Sequence, residues 1–323
     1  MRAEEFEQHR RELEVHCYRM LGSYHEAEDL VQETFLKAWR GREDFEGRAS
    51  VRSWLYRIAT NACLDVLKSG RRRVLPVDLG PPADPQLELP PRTDVAWLEP
   101  VPDRVLDETP EAALVAKETV ELAFLAALQH LPARQRAVLI VRDVLGWPAD
   151  RTAELLEISV PAANSALQRA RATLRQRLPE RGADWAPDTP PDRAEQEVAR
   201  RYAEAFQRAD IEGMARLLAD DARAAMPPLP MWYVGKPTIV VTLWQGAPHL
   251  GEIRTEVTRA NRAPAIVSYR KAPGDDRFRP FAIGVLRVEA GLIVEMTAFH
   301  DPAVFEFFAD RETAVRPLLE IPR

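Results

Sequence analysis

The chain has 323 residues, which is enough for two or three domains of ordinary size. Its net charge of −6 is unevenly spread, because residues 74–110 carry 8 acidic and only 2 basic side chains, whereas residues 1–73 carry 14 basic and 13 acidic ones. No run of about 18 apolar residues and no apolar signal core is present, so we expect a cytoplasmic protein without a membrane span. Cys17 and Cys63 form no CxxC pattern, which favours buried thiols over a redox switch, and we expect no metal and no cofactor.

The N-terminal segment, residues 1–73, has the pattern of a helical bundle. Apolar residues recur at helical spacing between Ala27 and Trp39 and again between Val51 and Val66. The first of these helices turns a polar face outward, composed of Glu28, Asp29, Gln32 and Glu33 with Leu36 among them. An acidic face suits a protein partner better than DNA, although a solvated helix surface gives the same pattern.

The second of these helices carries side chains suited to single-stranded DNA. Aromatic rings stack on bases, amides read base edges and cations meet phosphates. The periodicity predicts that the following side chains are exposed: Arg52, Tyr56, Arg57, Thr60, Asn61 and Lys68, with Arg71, Arg72 and Arg73 at the helix end. The alternative is that the aromatic residues pack in the core.

Residues 74–110 contain nine prolines and mostly acidic charges, and they predict an extended, semi-rigid linker.

Residues 111–180 are helical again and have the outline of a helix-turn-helix. A helix at Ala149–Leu156 is followed by a turn at Ile158–Ser159 and then by a longer helix. From Ile158 to Leu178 the segment holds four arginines and no acid, which suits a helix in the major groove. A basic helix that merely caps a bundle is the alternative.

After a second linker at residues 181–192, the class of structure changes in residues 193–323. One or two helices between Glu195 and Leu218 precede an antiparallel sheet, which predicts an α+β domain. The predicted strands are Thr238–Leu243, Glu252–Thr258, Ala265–Tyr269, Phe281–Glu289 and Leu292–Phe299.

Three motifs in this order resemble the extracytoplasmic-function group of the sigma-70 family. AEDLVQETFLKAW is similar to region 2.2, FEGRASVRSWLYRIATNACLDVL to regions 2.3 and 2.4, and the segment from LPARQRAV to RARATLR to region 4. The resemblance covers roughly residues 5–178. It implies all-α sigma region 2 and region 4 domains and a factor that directs core RNA polymerase to promoters.

The resemblance also implies roles for individual residues. The polymerase β′ clamp helices would bind Asp29, Gln32, Glu33 and Leu36, and region 4 would meet the β flap. Melting and reading of the minus-10 element is implied for Arg48, Ser50, Tyr56, Arg57, Asn61, Arg71 and Arg72. Reading of the minus-35 element is implied for Asn164, Ser165, Gln168 and Arg169, with Arg171 and Arg175 on phosphates. The linker at 74–110 would thread through polymerase near the active cleft and RNA exit path.

Residues 193–323 resemble the SnoaL-like branch of the cone-shaped NTF2-like fold. Such cones hold a pocket between helices and a curved sheet. The candidate lining residues for a small-molecule ligand are Met226, Trp232, Tyr233, Trp244, Arg254, His300 and Asp301, with Trp232, Tyr233, Trp244 and His300 as the first choice. Because this cone is joined to sigma modules, we expect a regulatory domain and not an enzyme.

Two competing hypotheses remain open at this point. The first is a cyclase, isomerase or hydrolase in the cone, in which Asp221 or Asp301 would act with His300 as acid and base and the helical part would only target DNA. The second is a helix-turn-helix repressor. The motif at residues 27–73 disfavours the repressor, because a repressor has no use for a polymerase-docking and DNA-melting module.

Overall fold

The computed structural model describes residues 4–43, 45, 50–68, 70, 72–87, 89–106, 120–178 and 193–308. The chain divides into two compact units, one formed by Met1–Val74 with Arg104–Asp188 and the other by Leu75–Asp103 with Thr189–Arg323. Several predictions fall outside the described residues. They are the roles of Arg48 and Arg71, the start of the second helical segment at 111–119 and the linker at 181–192.

The first half of the first unit is a helical bundle of α1 (Glu4–Glu7), α2 (Arg10–Leu21), α3 (Tyr24–Arg40) and α4 (Val51–Leu67). The sequence sets the helix ends through caps. The Ser23 hydroxyl accepts a hydrogen bond from the Glu26 amide and begins α3, and Ser50 does the same for α4 with the Ser53 amide. Gly22 ends α2 in the left-handed conformation with φ of 74°.

The second half of this unit carries the predicted helix-turn-helix. Its elements are α5 (Asp103–Leu106), which includes the chain boundary between the two units, then α6 (Leu122–Gln129), α7 (Ala133–Leu139), α8 (Ala149–Leu156) and α9 (Val160–Arg177). A wider π-type turn, Ile140–Val144, continues α7. Ser159 caps α9 as predicted, and Glu157 turns the chain between α8 and α9 with φ of 53°.

Arg136 on α7 joins the two halves of the first unit. Its guanidinium is buried and donates to carbonyl oxygens of three residues, Met20 at the end of α2, Gln129 and Leu131. Burial lowers the pKa of Arg136 to about 10, so the side chain stays charged at neutral pH. The end of α2 gains a cation where the helix has unpaired carbonyls and a partial negative charge.

The second unit contains an α+β domain. Three helices, α10 (Arg193–Gln207), α11 (Ile211–Arg216) and α12 (Lys236–Leu250), accompany a sheet of six strands in the order β2-β1-β6-β5-β4-β3. β1 pairs with β6 in parallel, and the other neighbours are antiparallel. The strands are β1 (Leu218–Ala225), β2 (Trp232–Val234), β3 (Glu252–Ala260), β4 (Ala263–Lys271), β5 (Arg279–Glu289) and β6 (Leu292–Phe299).

One predicted strand is wrong, and two strands were not predicted. Thr238–Leu243 lies inside helix α12, which begins after Gly235 with Pro237 in its first turn. Only Ile239 of this helix is fully buried, and it packs into the core formed by α10, α11 and the sheet. The other two strands, β1 and β2, lie where the sequence is rich in alanine or interrupted by prolines. The four later strands and the two helices after Glu195 are confirmed.

The proline-rich segment Leu75–Asp103 belongs structurally to the second unit and is not an independent spacer. A short 3₁₀ turn, Pro76–Asp78, begins it, and Pro102 forms an isolated bridge with Ala260 at the end of β3. Leu89 packs partly buried against the core of the α+β domain. The extended, semi-rigid linker stays a prediction, and the sequence did not reveal the contacts of this segment along the domain.

We expect Arg136→Ala to lower the free energy of unfolding of the helical unit by about 2–4 kcal/mol, because it removes charge-assisted hydrogen bonds and leaves buried carbonyls unpaired. Urea denaturation followed by circular dichroism measures this change. Arg134→Ala, at an exposed position on the same helix, is the matched control and should change stability by less than about 0.5 kcal/mol. Equal losses from the two variants would contradict the role given to Arg136.

Candidate nucleic-acid interface

Helix α9 presents two chemically different faces. Ala163, Ala166, Leu167, Ala170 and Leu174 are buried in the helical unit, where α9 packs on α7 and α8. The opposite face near the N-terminus of the helix is exposed, and it holds the four residues predicted to read bases: Asn164, Ser165, Gln168 and Arg169. A helix with this exposed polar end has the shape and chemistry to enter a major groove.

Arg171 on the same helix is engaged within the protein. Its guanidinium forms a two-pronged pair with Asp143, in which Nε and Nη2 donate over 2.8 and 2.7 Å. This hydrogen bonding raises the pKa of Arg171 above its ordinary value. The pair fixes α9 to the π-type turn before α8 and neutralises one of the predicted phosphate contacts. Arg175 is exposed one turn further along.

Helix α4 exposes part of the predicted minus-10 surface. Asn61 and Arg57 are both exposed, four residues apart on one face. Ser50 is exposed at the helix start, but its hydroxyl is already used as the cap and donates to Ser53. An amide and a cation therefore lie side by side at the surface, in the middle of the helix.

The predicted exposure of Tyr56 is wrong. The ring is 1% exposed, and its hydroxyl donates to the Glu12 carboxylate over 3.1 Å. Arg52 lies over one side of the ring, and its Nε donates to the same carboxylate. Trp147, which precedes α8, packs against the ring with centroids 5.4 Å apart. Burial, first of all, raises the pKa of Tyr56 and keeps the phenol protonated.

Beneath Tyr56 lies a neutral histidine. His16 on α2 is fully buried, packs edge-on to the Tyr56 ring at 5.0 Å and shares a hydrogen bond with Thr60 over 2.9 Å. Burial, and to a lesser extent the nearby charges of Arg19 and Arg52, lower the pKa of His16 to about 3. Thr60, predicted to be exposed, is therefore also part of the core and supports α4 from below.

The two described arginines after α4 have protein partners. Arg72 lies within 3.2 Å of the His130 ring, and Arg73 pairs with Glu26 on α3 over 2.9 Å. Arg72 is exposed, whereas the Arg73 side chain is only 13% exposed. Of the two, Arg72 is therefore the better placed to reach a phosphate.

The acidic face of α3 is open to solvent. The residues predicted to bind polymerase, Asp29, Gln32, Glu33 and Leu36, are all exposed. Leu36 is 57% exposed, and Trp39, one turn further on, is 42% exposed with Arg42 stacked over its ring. Large apolar side chains at the surface beside carboxylates are typical of a protein-docking site.

The four candidate pocket residues of the α+β domain have separate contacts. Tyr233 is buried, and its hydroxyl donates to the Met231 sulfur. Trp232 donates from its indole nitrogen to the Gly80 carbonyl, and Trp244 is 58% exposed on α12. His300 at the end of β6 lies against Phe281, and its Nδ1 is 3.1 Å from the Phe281 carbonyl.

An acid–base pair at His300 finds little support in this geometry. Burial lowers the pKa of His300, so the ring is neutral, and its Nδ1 donates to a carbonyl. Asp301 is exposed and caps the following turn through the Ala303 amide, while Asp221 is exposed on β1. Both candidate carboxylates therefore lie at the surface.

Sequence reasoning missed the residues that act through long-range contacts. Glu12 binds Tyr56 and Arg52, which are 44 and 40 residues away in the chain, Trp147 packs against Tyr56, and Asp143 pairs with Arg171. The spacing of residues along a single sequence gives no sign of such long-range pairs.

Within the described ranges, we find neither a cluster of three His, Cys, Asp or Glu side chains suited to a metal nor a helix capable of crossing a bilayer.

The chain matches three protein families in order along its length: Sigma-70 region 2 at residues 6–73, Sigma-70 region 4 at residues 121–174 and the SnoaL-like domain at residues 199–296. It is 46% identical over 308 residues to the ECF RNA polymerase sigma factor SigG of Mycobacterium tuberculosis, covering 94% of this chain and 82% of that protein. It is 30% identical over 162 residues to the ECF sigma factor SigW of Bacillus subtilis, covering 50% of this chain and 80% of that protein.

The fold is that of a solved relative with the same three-part organisation. The crystal structure of the Mycobacterium tuberculosis extracytoplasmic function sigma factor SigJ aligns with a TM-score of 0.65 at 23% sequence identity, covering 95% of this chain and 99% of that one. The helical regions followed by an NTF2-like α+β domain are thus confirmed. With the region 2 and region 4 matches and the near full-length similarity to SigG, the chain belongs to the ECF RNA polymerase sigma factors.

Proposed function

We propose that this sigma factor assigns promoter recognition to two separate surfaces of its helical unit and that its SnoaL-like domain tunes its activity in the cytoplasm. The two-faced helix α9 is the observation that carries the assignment of the minus-35 surface. Its apolar residues are consumed by packing, and its N-terminal polar residues are left at the surface. Because these polar residues already lie at the surface, the helix can contact DNA without unfolding its packed side. The packed side also fixes which face of the helix meets the groove.

Among the residues proposed to face the bases, the amide of Asn164 and the guanidinium of Arg169 prefer different bases. An Asn side chain pairs best with adenine, whereas Arg pairs best with guanine O6 and N7. Arg169 is exposed and, within the described residues, forms no ion pair, whereas Arg171 pairs with Asp143. We therefore assign base reading to Arg169 and a positioning role to Arg171, which Asp143 already neutralises.

The minus-10 surface is proposed to lie on α4 around Asn61 and Arg57. A base captured outside the duplex needs hydrogen bonds to its edge and a stacking partner, because flipping costs a few kcal/mol. Asn61 supplies the edge contacts from an exposed position. Tyr56 supplies a ring only if Trp147 leaves it, so its stacking role stays a prediction.

We propose that polymerase docks on the exposed face of α3. Leu36 and Trp39 would be the apolar anchors of this contact. Asp29 and Glu33 would supply the negative charges that favour a basic partner surface. The β′ clamp helices are the proposed partner for this face, and the β flap is the one for region 4. A small-molecule ligand of the SnoaL-like domain stays a prediction, because its four candidate residues have separate contacts.

We expect the full chain to give specific transcripts with core polymerase, and Asn61→Ala to reduce promoter opening far more than initial binding. The reason is that the amide contacts a base only after it leaves the duplex. Permanganate footprinting measures opening, and gel shift of the holoenzyme measures binding. Gln245→Ala, an exposed amide on α12, is the control. Unchanged melting by Asn61→Ala would remove this assignment, and no transcript from the wild-type chain would remove the function.

Arg169→Ala should weaken binding to the preferred minus-35 sequence by about 1–3 kcal/mol and relax base preference at one position. The reason is the loss of a two-pronged contact with a base edge. Binding of the holoenzyme to a set of single-base promoter variants measures both effects. Gln176→Ala, exposed near the end of the same helix, serves as control. A preference profile unaltered by Arg169→Ala would show that another residue reads this position.

Arg175→Ala should lower the slope of log affinity against log salt by about 1, and Arg171→Ala should lower it by clearly less. The difference follows from Asp143, which neutralises Arg171 before DNA is present. Holoenzyme binding to one promoter at several salt concentrations measures the slopes. An equal effect of both variants would mean that the Arg171–Asp143 pair opens on DNA.

A further inference from the structure

An aromatic ring near the start of β5 is contacted by a cation and by a neutral imidazole. The Arg270 guanidinium, at the end of β4, lies over the Phe281 ring at 5.8 Å from its centroid. The His300 ring, just after β6, meets the same ring edge-on with centroids 5.1 Å apart. All three side chains are only partly buried, so each keeps some surface that a ligand can reach. We call Arg270, Phe281 and His300 the Phe281 cluster.

The cation of this cluster lacks a counter-charge. The Arg270 guanidinium forms no ion pair with any residue that the structure describes, and a charge partly removed from water is costly without an opposite charge. The strand register places Arg279 of β5 directly opposite Arg270, and like charges in that position repel. Arg279 has Asp275 as its carboxylate partner, over 3.7 Å. The two guanidiniums thus leave an excess positive charge, which an anion between them would neutralise.

The two arginines lie on the side of the sheet that carries the helices. Side chains two residues apart on a strand share a face, so Arg270 shares its face with Ile266, which packs in the core with residues of α10. The next pair on this face, inward from the arginines, is Ser268 on β4 and Ala282 on β5. A ligand held between the arginines therefore meets short side chains on its inner side.

His300 adds a hydrogen-bond acceptor to the cluster. Its Nδ1 lies 3.1 Å from the Phe281 carbonyl, which can only accept, so Nδ1 carries the ring proton. Burial lowers the pKa of His300, which keeps the imidazole neutral and leaves a lone pair on Nε2. The cluster therefore offers cationic donors, an aromatic ring and one acceptor, which together define the groups that a matching ligand must carry.

We propose that the Phe281 cluster, together with Arg279, binds a small aromatic carboxylate that carries a hydroxyl group. The carboxylate bridges the two guanidiniums, whose planar donor pairs match its two oxygens. The ligand ring packs on Phe281, and its hydroxyl donates to Nε2 of His300. This names the ligand class of the small-molecule site proposed for the SnoaL-like domain and rests on that part of the proposed function. Of the four residues that the sequence favoured for such a site, only His300 belongs to this one.

The experiment measures the binding of three probes to the full chain by isothermal titration calorimetry at constant ionic strength. The first probe, para-hydroxybenzoate, carries both groups. Benzoate lacks the hydroxyl, and para-hydroxybenzamide is a neutral molecule of nearly the same shape. We expect para-hydroxybenzoate to bind at least tenfold more tightly than the benzamide, because only a carboxylate pairs with the arginines. It should also bind at least threefold more tightly than benzoate, because benzoate has no donor for His300.

Two variants separate the roles of the charge and of the acceptor. Arg270→Gln should weaken para-hydroxybenzoate at least tenfold and leave the benzamide unchanged, a pattern that a general loss of structure would not give. His300→Phe should lower the affinity for para-hydroxybenzoate to that for benzoate. Arg287→Gln is the matched control, because this arginine lies on β5 like Arg279 but already pairs with Glu295 over 3.3 Å. It should bind all three probes as the wild type does, and circular dichroism checks that each variant is folded.

Equal wild-type affinities for para-hydroxybenzoate and the benzamide would overturn the site, as would no binding of para-hydroxybenzoate at millimolar concentration. Equal losses from Arg270→Gln and Arg287→Gln would overturn the role of Arg270. Displacement of para-hydroxybenzoate by an equal concentration of inorganic phosphate would overturn the aromatic carboxylate as the ligand class.

Transcription with core polymerase on the same preparations keeps this site separate from the promoter function. Transcripts without probe binding would overturn the ligand site alone. Probe binding without transcripts would overturn the promoter function and leave the ligand site standing.

Discussion

The arrangement of the helical unit depends on one buried cation. Arg136 donates to carbonyl oxygens at the end of α2 and at the junction of α6 and α7, so a single side chain joins the two regions that are expected to bind separate promoter elements. Carbonyl partners suit a charge that must stay in place, because they stabilise the guanidinium without bringing a second desolvated charge into the core. The packing of Trp147 over Tyr56 is a second contact between the two halves of the helical unit.

Much of the fold can be predicted from local sequence, since helix caps and apolar spacing are local. Ser23, Ser50 and Ser159 each begin a helix because their hydroxyls satisfy an amide three residues on. The failure at Thr238–Leu243 is instructive. Its β-branched residues favour a strand, but Pro237 at a helix start and burial of Ile239 against α11 and the sheet favour α12. Tertiary packing outweighed propensity at this point.

The residues of the candidate site also separate into those that local sequence predicts correctly and those that it does not. Exposure on α9 and α3 follows from periodicity, so Gln168, Arg169, Glu33 and Leu36 could be placed at the surface from the sequence alone. Tyr56 could not, because its burial depends on Glu12 and Trp147, which are distant in the chain. The linker likewise has the composition of a spacer, and only the folded α+β domain reveals that its backbone has partners.

The Tyr56 ring and the proline-rich segment are both held by contacts within the protein, and these two sets of contacts differ in strength. The Tyr56–Trp147 contact is one aromatic pair, worth about 0.5–1.5 kcal/mol beyond its buried area, and such an energy changes a population by roughly tenfold or less. Trp147 is one of several groups on the ring, because Glu12, Arg52 and His16 also contact Tyr56. The proline-rich segment is held by the pairing of the buried Asp103 carboxylate with Arg259 and by hydrogen bonds at three places, so losing one contact leaves the others in place. Release of the whole segment requires a partner that replaces the contacts at all three places together, because each place holds it independently.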